Sequence, residues 1–172
     1  MRCVLVLTAT SDAPPIAGNL LLDKLYGASI RLVPSIDPMF AVGQDAAVVA
    51  EVVAGEPAAG RVPYLIPVGG SSGVGVCGYL GGSVELVSEL AEAGLAPSRL
   101  YYASGSRGTQ AGLTLGAKSC GASYAVYGVA VSAGEPEKIE RAKRIANEAA
   151  DLLSLPDRLG LADLITDQKF IG

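Results

Sequence analysis

The chain opens with a continuous apolar run at residues 3–8. It continues into 17–26, where Leu20, Leu21 and Leu25 recur at helical spacing before Gly27, and returns to a β-rich stretch at 29–33. That order predicts a strand, a helix and a second strand. After a loop at 34–43 containing two prolines, Asp45 is placed to cap a short helix with apolar positions Val48, Val49, Val52 and Val53, and Gly55, Glu56 and Pro57 are expected to break it. Residues 64–68 read as a strand running into a glycine-dense segment, and 84–93 as a helix stopped by Gly94. Then come a buried strand at 100–103, a small-residue helix at 111–121, a strand at 124–131, and a long charged helix at 136–155 with Pro136 near its first turn. Alternation of this kind predicts an α/β fold, a parallel sheet with helices on both faces and ligands at the carboxyl ends of the strands. A shift to Gly, Ala and Pro at 55–61 marks the expected boundary between a smaller α/β domain, 1–60, and a larger one, 61–172.

Two polar interruptions carry candidate chemistry. Ser104, Gly105, Ser106, Arg107, Gly108 and Thr109 lie between a predicted strand and a predicted helix. Glycines there let backbone approach an anion, hydroxyls donate hydrogen bonds, and the first helical turn adds free N–H groups and partial positive charge. The same spacing also suits a plain turn with a capping hydroxyl. The second interruption, Gly69-Gly70-Ser71-Ser72-Gly73, runs into Gly73-Val74-Gly75-Val76-Cys77-Gly78, which matches the dinucleotide fingerprint Gly-x-Gly-x-x-Gly. No acidic residue stands at the end of the following strand to hold an NAD ribose, but Arg107 could meet the 2′-phosphate of NADP, so an NADP-binding module stays open. Tyr101 and Tyr102 are expected on opposite faces of their strand.

Composition narrows the function. Half of the 172 residues are hydrophobic and 17% are charged, enough for a sizeable core, yet no apolar run is long enough for a membrane span. Thirteen basic against seventeen acidic residues, without a basic block, argue against nucleic acid as a partner. The three cysteines, odd in number and widely spaced, read as reduced, mostly buried thiols of a cytoplasmic protein. Histidine is absent, so neither a histidine-dependent triad nor a histidine-ligated metal is expected.

Taken in order, Gly18-Asn19-Leu20-Leu21-Leu22-Asp23-Lys24-Leu25, then Pro63-Tyr64-Leu65-Ile66-Pro67-Val68-Gly69-Gly70-Ser71-Ser72 with Gly75, Gly78 and Tyr79, then Ala103-Ser104-Gly105-Ser106-Arg107-Gly108-Thr109-Gln110-Ala111-Gly112-Leu113, resemble the D-cysteine desulfhydrase and 1-aminocyclopropane-1-carboxylate deaminase family. The resemblance implies the tryptophan synthase β-like fold of type II pyridoxal 5′-phosphate enzymes, which deaminate small amino acids to a 2-oxo acid and ammonia. It places Ser104, Gly105, Ser106, Arg107, Gly108 and Thr109 at the cofactor phosphate, and Gly70, Ser71 and Ser72 at the substrate side of the cleft. Arg107 departs from the small residue usual in that loop. By the same resemblance the family's Schiff-base lysine, ring-binding asparagine and hydroxyl nucleophile fall upstream of residue 1, and the groups near the ring nitrogen fall beyond residue 172. The chain thus resembles the middle portion of the family. Lys24, Lys118, Lys138, Lys143 and Lys169 lack the family's lysine motif and read as surface residues, so no catalytic residue is assigned. The expectation is a truncated or split relative, inactive alone, holding pyridoxal phosphate weakly and without a covalent link if it holds it at all. Its partners would be a small amino acid or phosphate-bearing ligand, a second copy in a two-fold dimer, and a missing complementary chain. The alternative is a non-catalytic oligomeric binding or assembly protein.

Overall fold

The computed structural model describes residues 2–34, 45–132 and 136–171. It divides into two compact units, Met1–Leu65 and Ile66–Gly172. In the first, strand β1 (Val4–Ala9) pairs in parallel with β2 (Ser29–Pro34), Val4 opposite Ser29 and Ala9 opposite Pro34, and helix α1 (Gly18–Leu25) connects them. The second helix, α2, is Ala46–Ala58. It does not break at Gly55. Pro57 falls in its last turn, where the helix is already ending, and the helix-breaking effect expected of the Gly-Glu-Pro triplet is not exerted. Nor does the Asp45 side chain cap α2. This unit is thinly packed: neither helix has a buried residue, and Val33 is its one buried apolar side chain among the described residues.

The second unit carries most of the core. Strands β3 (Arg99–Ser104), β4 (Ala125–Ala130) and β5 (Ile165–Asp167) form a parallel sheet in that spatial order, with Arg99 opposite Ala125 and Tyr127 opposite Ile165. Side chains alternate between its faces as strand geometry requires. Leu100, Tyr102 and Val126 pack under helix α3 (Gly73–Glu92) and helix α4 (Gly108–Ser119), while Tyr101 on the opposite face is exposed. Helix α5 (Glu137–Leu152) buries Ala142, Ile145, Ala146, Ala149 and Ala150, the i, i+3, i+4, i+7, i+8 stripe of an amphipathic helix. These residues form one cluster with Val76 of α3 and with Ala111 and Leu115 of α4. The three helices therefore pack together, and the sheet is parallel with helices packed on it, the α/β arrangement the alternation predicts. No helix among the described residues is long and apolar enough to cross a membrane.

Three expectations are corrected here. Residues 64–67 form no strand and lead into a short 3-10 turn, Val68–Gly70; Pro63 and Pro67 lack the N–H that a ladder needs. The glycine-dense segment is not a loop, because α3 begins at Gly73, and Gly73, Gly75 and Gly78 lie in its first turns. A Cβ on Gly73 would stand 2.8 Å from Glu148 Cβ, so close packing against α5 is what the glycine serves. The thiols of Cys3 and Cys120 are exposed rather than buried, and only Cys77 is partly covered.

Candidate functional site

The strand that ends in Ser104 and the helix that begins at Gly108 leave three residues, Gly105, Ser106 and Arg107, to turn the chain. Arg107 takes the left-handed conformation, φ 73°, at a position where a glycine would be free of strain. Its side chain is almost wholly buried, and its Nη1 donates to the Ser104 carbonyl at 3.2 Å. Burial pulls the guanidinium below its ordinary pKa, while Tyr102 beside it pushes the other way. Lys138, from the start of α5, is likewise held below its ordinary value by burial and by the neighbouring charge of Arg107. The two cations are thus close enough for each to feel the other's charge.

The segment before α3 closes on this loop. Ser71 Oγ donates to Ser106 Oγ at 2.8 Å, and Arg141 Nη2 donates to the Ser71 carbonyl at 3.2 Å. The approach needs two glycines, since a Cβ on Gly69 would collide with the Ser106 hydroxyl and one on Gly108 would lie 2.8 Å from Ser71 Oγ. Two helix N-termini therefore converge, but they differ. At α3 the Ser72 hydroxyl accepts from Gly75 N at 3.2 Å, so that end is capped. No side chain caps α4. Its first intrahelical donor is Ala111, bonded to the Arg107 carbonyl at 3.0 Å, which leaves the N–H groups of Gly108, Thr109 and Gln110 without an acceptor inside the helix. A missing cap costs about 0.5–2 kcal/mol. Here three directed donors and the half-exposed hydroxyls of Ser106 and Thr109 surround the uncapped end, an arrangement able to receive an anion.

Beneath the loop lies a chain of buried polar groups. Tyr102 OH stands 2.5 Å from Ser104 Oγ, Ser104 Oγ donates to Gln110 Oε1 at 3.4 Å, and Gln110 Nε2 donates to the Ile165 carbonyl of β5 at 2.8 Å. Burial pushes the Tyr102 phenol up to about 12, so it keeps its proton and serves as a donor rather than as a base. Gly128 makes room for the group: a Cβ there would lie 2.9 Å from Tyr102 OH and 3.1 Å from Gln110 Oε1.

The structure thus brings Ser71 together with the loop 104–109, but the hydroxyls of Ser71 and Ser72 are engaged in holding the two helix ends. The sequence reading missed Gln110, Lys138 and Arg141. Gln110 shares a helical face with the buried Thr114 and Ala117, a pattern visible in the sequence, whereas the positions of Lys138 and Arg141 follow only from the packing of α5.

No family model matches the chain. It is 38% identical over 138 residues to a provisionally named 1-aminocyclopropane-1-carboxylate deaminase of Pyrococcus abyssi, covering 80% of this chain and 41% of that protein. It is 32% identical to a 1-aminocyclopropane-1-carboxylate deaminase of Burkholderia multivorans across the whole of this chain and 51% of the other. A solved structure described as an ACC deaminase homologue superposes with a TM-score of 0.71 at 28% identity, over 93% of this chain and 46% of that one. The chain spans about half the length of the curated relatives it matches.

Proposed function

We propose, from the premise that this chain belongs to the 1-aminocyclopropane-1-carboxylate deaminase family, pyridoxal-phosphate enzymes of the tryptophan synthase β-like fold, that it supplies the phosphate-holding part of a small-amino-acid deaminase site. The observation that carries this reading is the uncapped N-terminus of α4, with three backbone donors that lack an acceptor inside the helix and the hydroxyls of Ser106 and Thr109 beside them. The N–H groups of Gly108, Thr109 and Gln110 and the hydroxyls of Ser106 and Thr109 would hold the phosphate, with Arg107 providing positive charge behind the loop. When bound, pyridoxal phosphate supplies an electron sink for carbanion chemistry at the α-carbon of an amino acid. The residues of this chain orient it. Ser71 serves by tying the segment before α3 to Ser106, and Ser72 by capping α3.

None of the lysines in this stretch is proposed as the covalent anchor. Lys118 pairs with Asp163 at 3.0 Å, Lys143 with Glu140 at 2.5 Å, and Lys138 donates to Ser132 Oγ at 2.7 Å. The 172-residue chain is therefore expected to bind pyridoxal phosphate without a borohydride-fixable adduct and to release no pyruvate from D-cysteine beyond a protein-free control. Thr109→Val should weaken binding about tenfold, the loss of one charge-assisted hydrogen bond. Absorbance titration with borohydride trapping and mass spectrometry checks both. A single lysine labelled reproducibly overturns the assignment.

The open face of the β3–β5 sheet supports a companion proposal, a two-fold dimer of the 172-residue chain. Tyr101 is 56% exposed there, and its ring lies 5.2 Å from that of Tyr127, over which Arg99 stacks at 5.3 Å. At about 25 cal/mol per Å², several hundred Å² of such surface favours association. Light scattering should give twice the 17.4 kDa chain mass, and a monomer at micromolar concentration rules the dimer out.

A further inference from the structure

We infer that Gln110 is a positioning residue that couples phosphate binding at the α4 N-terminus to the docking of strand β5, an inference resting on the phosphate reading of the loop. One residue serves both places. Its backbone N–H is among the donors without an intrahelical acceptor at the start of α4, and its side chain, with no exposed surface, spans the interior to β5.

At that far end Nε2 donates to the Ile165 carbonyl at 2.8 Å and lies 3.3 Å from Thr166 Oγ1, which in turn is 3.4 Å from Oε1. The strand it holds is short. Three residues, Ile165 to Asp167, pair with β4 on one side, and β5 is an edge of the sheet, so the ladder alone fixes it weakly. The bonds from Gln110 are therefore a large share of what orders β5. On the near side, Ser104, the last residue of β3, donates to Oε1 and ties the same amide to the base of the loop.

An anion on the loop draws the N–H groups of the first α4 turn into fixed positions and narrows the freedom of the Gln110 backbone. The side chain is then held more firmly on the Ile165 carbonyl, and β5 is stabilised. Linkage makes the effect reciprocal: a docked β5 pre-orders the turn that receives the anion and raises affinity by the same factor.

The test is hydrogen exchange of the β5 amides in the full chain, free and saturated with pyridoxal phosphate, and separately with inorganic phosphate. It compares wild type with Gln110→Met, which keeps the volume and removes the bonds, and Thr166→Val, which removes one hydroxyl and spares the rest. Wild-type exchange at Thr166 and Asp167 should slow about fivefold on saturation, a typical coupling factor. In Gln110→Met that slowing should vanish and affinity fall by a similar factor, with Thr166→Val intermediate. A purely structural glutamine would let β5 fray in the variant with or without ligand while leaving affinity unchanged. Ligand binding that leaves wild-type β5 exchange unaltered, or a Thr166→Val chain with full coupling and affinity, overturns the inference. Failure of the wild-type chain to bind either probe removes the phosphate reading itself, and the coupling with it.

Discussion

Gly108→Ala should abolish most of the chain's affinity for pyridoxal phosphate while leaving it folded. The added methyl would lie 2.8 Å from Ser71 Oγ and 3.4 Å from Ser71 Cα. Ser71 cannot simply step aside, because its carbonyl holds Arg141 and its hydroxyl holds Ser106. Either α4 shifts or the pair of hydroxyls separates, and in both cases the donors of Gly108, Thr109 and Gln110 no longer point to one place. Losing alignment of two such donors, each worth about 1.5–3 kcal/mol toward a charged acceptor, corresponds to a fall of at least about a hundredfold. Stability moves much less, since alanine favours the helical backbone by about 0.5–1 kcal/mol over glycine and offsets part of the clash. Calorimetric titration alongside a thermal melt separates the two effects. An alanine variant that binds as tightly as wild type would place the phosphate elsewhere.

The elements of the second unit that were legible in the sequence are those whose pattern is local. Helix α5 announces itself through alanines and an isoleucine at helical spacing, and β3 through an apolar run ending in the serine loop. What was not legible depends on partners distant in the chain. Gly73, Gly75 and Gly78 look like a loop because glycine disfavours helices, yet the neighbouring helix leaves space for hydrogen alone at Gly73, and packing overrides propensity. Strand β5, three residues long, has no periodicity to read. At the site, the serine and glycine loop carried its own chemical signature. Arg107 stood out only as an oddity, and the burial of its guanidinium against the Ser104 carbonyl follows only from the packing. The helical face of Gln110 was legible, but its partner Ile165, fifty-five positions away, follows only from the fold.

Glycines that look alike in the sequence respond with opposite signs to an added side chain. At Gly112 a Cβ would stand 2.5 Å from Tyr79 Cβ and 2.7 Å from the Val76 carbonyl, and at Gly116 it would stand 2.5 Å from Ser83 Cβ and 2.9 Å from the Leu80 carbonyl. The obstacles include α3 backbone, which no rotamer change relieves. Forcing α3 away from α4 opens the contact that buries Val76, Ala111 and Leu115, and it separates Ser83 from the Leu113 carbonyl and from Tyr124, both 3.2 Å away. Overpacking of this kind costs about 1–3 kcal/mol, and each buried polar group left without its partner about 1–3 more. Gly116→Val should therefore lose about 3 kcal/mol or more, and Gly112→Val combined with Gly116→Val about 6 kcal/mol or more, a loss comparable with the whole stability of a domain at the low end of the 5–15 kcal/mol range. Gly81, on α3 itself, meets nothing within 4 Å, so Gly81→Ala should stabilise by about 0.5–1 kcal/mol. Urea unfolding of the three variants side by side decides it: a Gly116→Val chain as stable as Gly81→Ala would mean that α3 and α4 do not meet through these two glycines.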